Sequence, residues 1–188
     1  MSLIPAFEIG VWNAWVFILY EVITIPFLFR IAKGRGPDPE SPFNSMSKTK
    51  KAVFFFSKVV IFLAFGYSIF VPLKLGTIWF YVGLPITLIG LVIGTIVLVD
   101  WAKTPRNEPV TRGLYRYSRH PMYIGLFFLL LGVSISTASW VFLLVTVVVT
   151  VVSFAFANVE EQGCLERYGE AYREYMNRTP RLLGMPKS

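Results

Sequence analysis

The chain holds one cysteine and one histidine in 188 residues. A lone Cys164 excludes an intrachain disulfide, and without a Cys/His cluster no set of zinc ligands can be assembled. Charge is scarce as well: 15% of residues are Asp, Glu, Lys or Arg, against about 25% in soluble domains. No internal repeat, low-complexity tract, Ser/His/Asp arrangement or strand-borne GxGxxG is present. The opening residues MSLIPAFEIG carry no Lys or Arg for a charged n-region, and no small-residue cleavage site follows the first apolar run. That run is expected to be retained.

Apolar residues fill the space that charge leaves. The composition is 55% hydrophobic and 16% aromatic, with mean hydropathy +0.60. Stretches of about 20 apolar residues recur, the length that crosses a bilayer. An integral, all-α, polytopic membrane protein follows. Five transmembrane helices are expected, at about 11–31, 52–73, 78–99, 121–135 and 139–159. Pro26 is a kink position in the first. The last two come from one apolar stretch, Met122 to Val159, which is too long for a single crossing. The small and hydroxyl residues of GVSISTAS (132–139) supply its turn. The polar link 32–51, rich in Gly, Pro and Ser, is expected as a loop. Residues 1–99 thus form three helices, and 100–188 a second region.

Basic residues support this count. Six lie in 30–51, five in 103–119 and five in 167–187, with single lysines at 58 and 74. Five spans put all three clusters on one side, which the positive-inside rule makes cytoplasmic in a multi-pass cell-membrane protein. The net charge of +7 is then topological, and no nucleic-acid partner is expected.

Residues 159–178, VEEQGCLERYGEAYREYMNR, have another pattern. Leu165, Tyr168, Tyr172 and Tyr175 recur at helical spacing with charge on the other faces. Glu174 and Arg178 are an i,i+4 pair, and Pro180 ends the run. The expectation is one amphipathic helix that continues the fifth span at the cytoplasmic interface.

The stretch that carries chemistry is RGLYRYSRHPMYIG, residues 112–125. Pro121 suits the first position of a helix, so the following amides make an anion site that Arg116, Arg119 and His120 reinforce. Tyr115, Tyr117 and Tyr123 offer π-faces to an aromatic ring or a cation. The same residues also fit a plain interfacial anchor of aromatics and arginines. Glu160 and Glu161 follow at the foot of the fifth span. Adjacent helical residues point about 100° apart, so the two are not expected to face one pocket directly. Glu161 shares a face with Leu165, Tyr168 and Tyr172, and Glu160 with Cys164 and Arg167. A solvated helix end is the plain alternative. Glu21 and Lys58 lie within apolar spans and are expected either to function or to pair with each other. Gly90 and Gly94 form a close-packing motif within the bundle.

The combination RGLYRYSRHPMYIG, an apolar hairpin, then EEQGCLERYGEAYREYMNRTPR closely resembles the isoprenylcysteine carboxyl methyltransferase family, and more loosely the phospholipid methyltransferases. The resemblance covers about residues 100–185. RHPxY with a similar tail also recurs in sterol-type membrane reductases, which leaves an NADPH-dependent reductase as a rival beside a non-enzymatic membrane protein.

The resemblance implies a methyltransferase using S-adenosyl-L-methionine. It assigns the cofactor to Asn107, Glu108, Pro109, Val110, Tyr115, His120, Pro121, Met122, Tyr123 and Glu160. The implied substrate is the carboxylate of a prenylated cysteine, free or at a protein C-terminus, beside membrane lipids, and a monomer is expected. Glu161 is the nearest candidate for a catalytic base. The family's substrate-binding arginine, about four residues before the first glutamate, is Phe156 here.

Overall fold

The structure is a computed structural model that describes residues 8–31, 47–105 and 107–186. Among the described residues six α-helices follow in order: α1 Trp15–Ile31, α2 Lys48–Ser68, α3 Ile78–Lys103, α4 Pro121–Ser136, α5 Trp140–Tyr168 and α6 Glu170–Arg178. A 3-10 turn, Gly113–Arg116, lies between α3 and α4. Among the described residues there is no β-strand, only an isolated bridge between Asn13 and Pro72.

Two helices, α3 and α5, are long and apolar enough to cross a membrane, and α1, α2 and α4 hold shorter apolar stretches. Only 39% of the apolar window of α3 and 28% of that of α5 is buried, whereas the core helix of a soluble protein is mostly buried. Phe62, Leu144 and Val151 project from α2 and α5 at 76%, 64% and 64% exposure. Exposed apolar side chains of this size fit a lipid surrounding.

The tightest junction is between α3 and α4, which run antiparallel. A Cβ on Gly83 would meet Ser136 and Gly132, one on Gly90 would meet Leu129 and Gly125, and one on Gly132 would meet Thr87. Removing those side chains lets the backbones touch, which is the route to helix association where lipid removes the hydrophobic drive. Gly90 and Gly94 do serve packing within the bundle, since Gly94 lies against Gly125. Elsewhere Ser134 and Thr146 bridge α4 and α5 at 3.1 Å, and Tyr20 and Thr95 bridge α1 and α3 at 2.8 Å.

Helix limits differ from the sequence expectation for local reasons. Helix α2 ends at Ser68, short of 73, because Pro72 disfavours helix at Val71, whose carbonyl accepts from Ala14 N at 3.0 Å. The hairpin turn is Thr137–Ser139, with Ala138 at φ +49° and Ser139 Oγ capping Phe142 N at 3.3 Å. Pro26 lies inside α1 without ending it. The single amphipathic helix expected over 159–178 is two. Helix α5 runs to Tyr168 and stops at Gly169, whose φ of +56° suits glycine and breaks the helix. The side chains of Glu21 and Lys58, and most of the 32–51 link, lie outside the described residues.

Candidate active site

At 1.5 Å per residue, the first twenty or so residues of α5 cover about 30 Å, a bilayer's apolar thickness. Glu160 and Glu161 fall just beyond that length. Beside them, the start of α4, the 109–123 segment and α6 enclose a cavity of about 280 Å³.

His120 occupies the N-cap position of α4, Pro121 is in the first turn, and no side chain caps that helix end. The ring is 6% exposed and stacks on Tyr123 at 5.4 Å with 5° between planes. Its backbone N–H donates to Ser118 Oγ at 3.1 Å. The two glutamates approach this imidazole from opposite edges. Nε2 lies 2.9 Å from Glu161 Oε1, and Nδ1 lies 3.6 Å from Glu160 Oε2. The 100° between adjacent helical residues, which separates them as partners of one pocket, is what lets them flank one ring.

The two carboxylates have different surroundings. Glu161 is buried and is also met by Arg119 Nη1 at 3.4 Å and Arg181 Nε at 3.6 Å. Glu160 is half exposed and faces the cavity with Cys164 and Tyr168. Glu161 faces a second groove with Asn158, Leu165 and Met176. Tyr168 therefore sides with Glu160, not with Glu161 as helical spacing alone suggests.

Arg181 arrives on the segment after α6, which is strapped across the 115–120 loop. Arg119 N donates to Pro180 O at 3.0 Å, and Gly184 N to Tyr117 O at 3.0 Å. Tyr175 Oη donates to Tyr115 O at 2.8 Å. Burial, then the neighbouring Tyr115, hold the Tyr175 phenol well above its ordinary value of 10, against an opposing pull from Arg119. Burial does the same for Tyr172. Both phenols stay neutral in the cavity wall. On the other flank Gly113, at φ +57°, lets the turn settle on the Asp100 carboxylate, where a Cβ would collide.

Of the residues singled out in the sequence, Pro109, Val110, Tyr115, His120, Pro121, Met122, Tyr123 and Glu160 line the cavity. Asn107 and Glu108 are exposed and stand outside its lining. Trp101, Cys164 and the α6 tyrosines line it too. The tyrosines carried a signal, since two phenols on the apolar face of a short helix need buried partners. Cys164 had its place on the face of Glu160 as a signal, and Trp101 carried none.

A search of curated proteins and a search of solved structures each returned no match. The family model described as "Phospholipid methyltransferase" matches residues 61–171. The match takes in α3, the His120 segment and both glutamates, which sets the reductase rival aside. With more than half of the chain matched, this protein belongs to the phospholipid methyltransferase family, membrane-integral enzymes whose methyl donor is S-adenosylmethionine.

Proposed function

We propose that the cavity beside His120 binds S-adenosylmethionine and that the protein methylates the carboxylate of a lipophilic, isoprenylcysteine-like acid. The donor set suits the cofactor. Arg119 Nε, in the cavity wall, is buried without a hydrogen-bond partner among the described residues and fits a ligand carboxylate. Glu160, half exposed in the same wall, fits an ammonium. The flat faces of Tyr115 and Tyr123 fit a sulfonium or an adenine. When bound, the cofactor supplies an electrophilic methyl group.

One observation carries the choice of acceptor: Glu161 is not free to act as a base. Both of its oxygens are engaged by cations and His120, and Glu160 is the seat of the cofactor's ammonium in this reading. An acid with a pKa near 4 is already ionised at neutral pH and needs no base. The protein's contribution is then to hold acceptor and donor in line, worth up to about 7–11 kcal/mol, and to keep water out. The apolar flanks of α4 and α5 offer the lipid tail a path from the bilayer.

A phospholipid amine is the second reading. The family description favours it. In both readings residues 1–99 anchor the enzyme, 100–188 form its active region, and five helices cross the cell membrane with the site facing the cytoplasm. Radiolabelled methyl transfer in detergent to a panel of prenylcysteine acids and lipid amines tests the choice. Label on the acids that mild alkali releases as methanol supports the ester. Alkali-stable label on the amines overturns it.

A further inference from the structure

We infer that Glu161 is a positioning residue, not a base, and that Arg181, reaching in from the segment after α6, holds it in that role. A carboxylate only accepts hydrogen bonds. The 2.9 Å contact between Glu161 Oε1 and His120 Nε2 therefore places the proton of the neutral ring on Nε2. In the neutral ring Nδ1 then carries no proton, and it lies 3.6 Å from Glu160 Oε2, beyond hydrogen-bond distance. The tautomer of an imidazole is set by the hydrogen bond its other nitrogen makes, and here that bond is Glu161's.

Glu161 is itself fixed from two sides. Arg119 Nη1 meets Oε2, and Arg181 Nε meets Oε1, the oxygen that holds the ring. Arg181 has no other acidic contact among the described residues; its contact with Glu161 is an ion pair, and its Nε and Nη2 are buried without a hydrogen-bond partner. Its backbone carbonyl accepts from Ser118 Oγ at 3.4 Å, and the same hydroxyl accepts from His120 N. Ring, carboxylate and strap thus form one closed circuit, and moving any member loosens the hold on Nε2. The inference rests on the cavity being the cofactor site.

The test uses the full chain in detergent. His120 is the sole histidine, so ¹⁵N labelling of the imidazole gives one unambiguous pair of resonances. Without ligand, the wild type is expected to show a protonated Nε2 and a pyridine-like Nδ1. In Glu161→Gln and Arg181→Ala the two resonances move toward each other as the tautomers mix. Affinity for S-adenosylhomocysteine falls about tenfold in Arg181→Ala, and Arg181→Lys recovers most of it. Matching thermal midpoints establish that the variants are folded. Where Glu161→Gln fails to fold, the Arg181 pair supplies the same comparison from a half-buried side chain. An unchanged ¹⁵N pattern in a folded Glu161→Gln or Arg181→Ala overturns the inference. So does a Glu161→Gln enzyme with wild-type cofactor affinity whose kcat alone collapses and loses its pH dependence, the mark of a base. Failure of the wild type to bind S-adenosylhomocysteine would instead remove the cofactor reading, while the ¹⁵N pattern still judges the clamp.

Discussion

The backbone N–H of Arg119 donates to the carbonyl of Pro180 at 3.0 Å, across sixty residues of sequence. This bond ties the loop that presents His120 to the strap that delivers Arg181. It makes the segment after α6 part of the candidate site.

Removing residues 180–188 is therefore expected to leave the helices in place and to weaken S-adenosylhomocysteine binding by at least about tenfold, since it deletes charge-assisted contacts. Circular dichroism and calorimetry on the truncated protein check both halves. Wild-type affinity would show the strap to be a mere appendage.

Gly90 and Gly66 are both helical glycines with opposite prospects. A side chain on Gly90 runs into the backbone of Leu129, whereas nothing lies within 4 Å of a Cβ on Gly66. Gly90→Val is expected to destabilise by about 1–3 kcal/mol or more through overpacking. Gly66→Ala is expected to be neutral or to stabilise by up to about 1 kcal/mol. Thermal unfolding in one detergent compares them, and equal midpoints would refute the close approach of α3 and α4.

Tyr175 makes stability depend on alkaline pH. Its phenol is held above the ordinary value, mainly by burial, so the folded state keeps a proton that the unfolded chain gives up near pH 10. The stabilisation is complete below pH 10 and is lost as pH rises beyond it. Tyr175→Phe removes this loss along with the bond to Tyr115 O, at a cost near neutrality of about 0.5–1.5 kcal/mol. Midpoints followed from pH 8 to 11 should converge for the two proteins. Parallel curves would mean that Tyr175 is not the group responsible.

The five-span topology is open to labelling in a Cys164→Ala background. Thr77 is exposed at the start of α3, but Ser136 is fully buried and useless as a probe. Thr77→Cys is expected to react with an impermeant maleimide from outside intact cells, and Asn107→Cys only after lysis. Reaction of both from the same side would overturn the count.

Periodicity and chemical type made much of this protein legible before any coordinates. Long apolar runs can only be lipid-facing or core helices, and the run from Met122 to Val159 had to fold back at its small residues. RHPMY at a helix start and Glu160 at the foot of the fifth span marked two walls of the cavity. Gly90 and Gly94 announced a close contact, although not with which helix.

What the sequence did not contain is decided by long-range contacts, which have no local signature. Arg181 reads as one more interfacial arginine, because its meaning depends on a strap that returns to residues 117–119. The break at Gly169 was missed because tyrosine spacing runs through it; a single positive φ turns the helix without disturbing the pattern. Above all, Glu160 and Glu161 looked like alternatives, since neighbours on a helix point apart. Only tertiary structure, by lodging a planar ring between two diverging side chains, made both of them partners of His120.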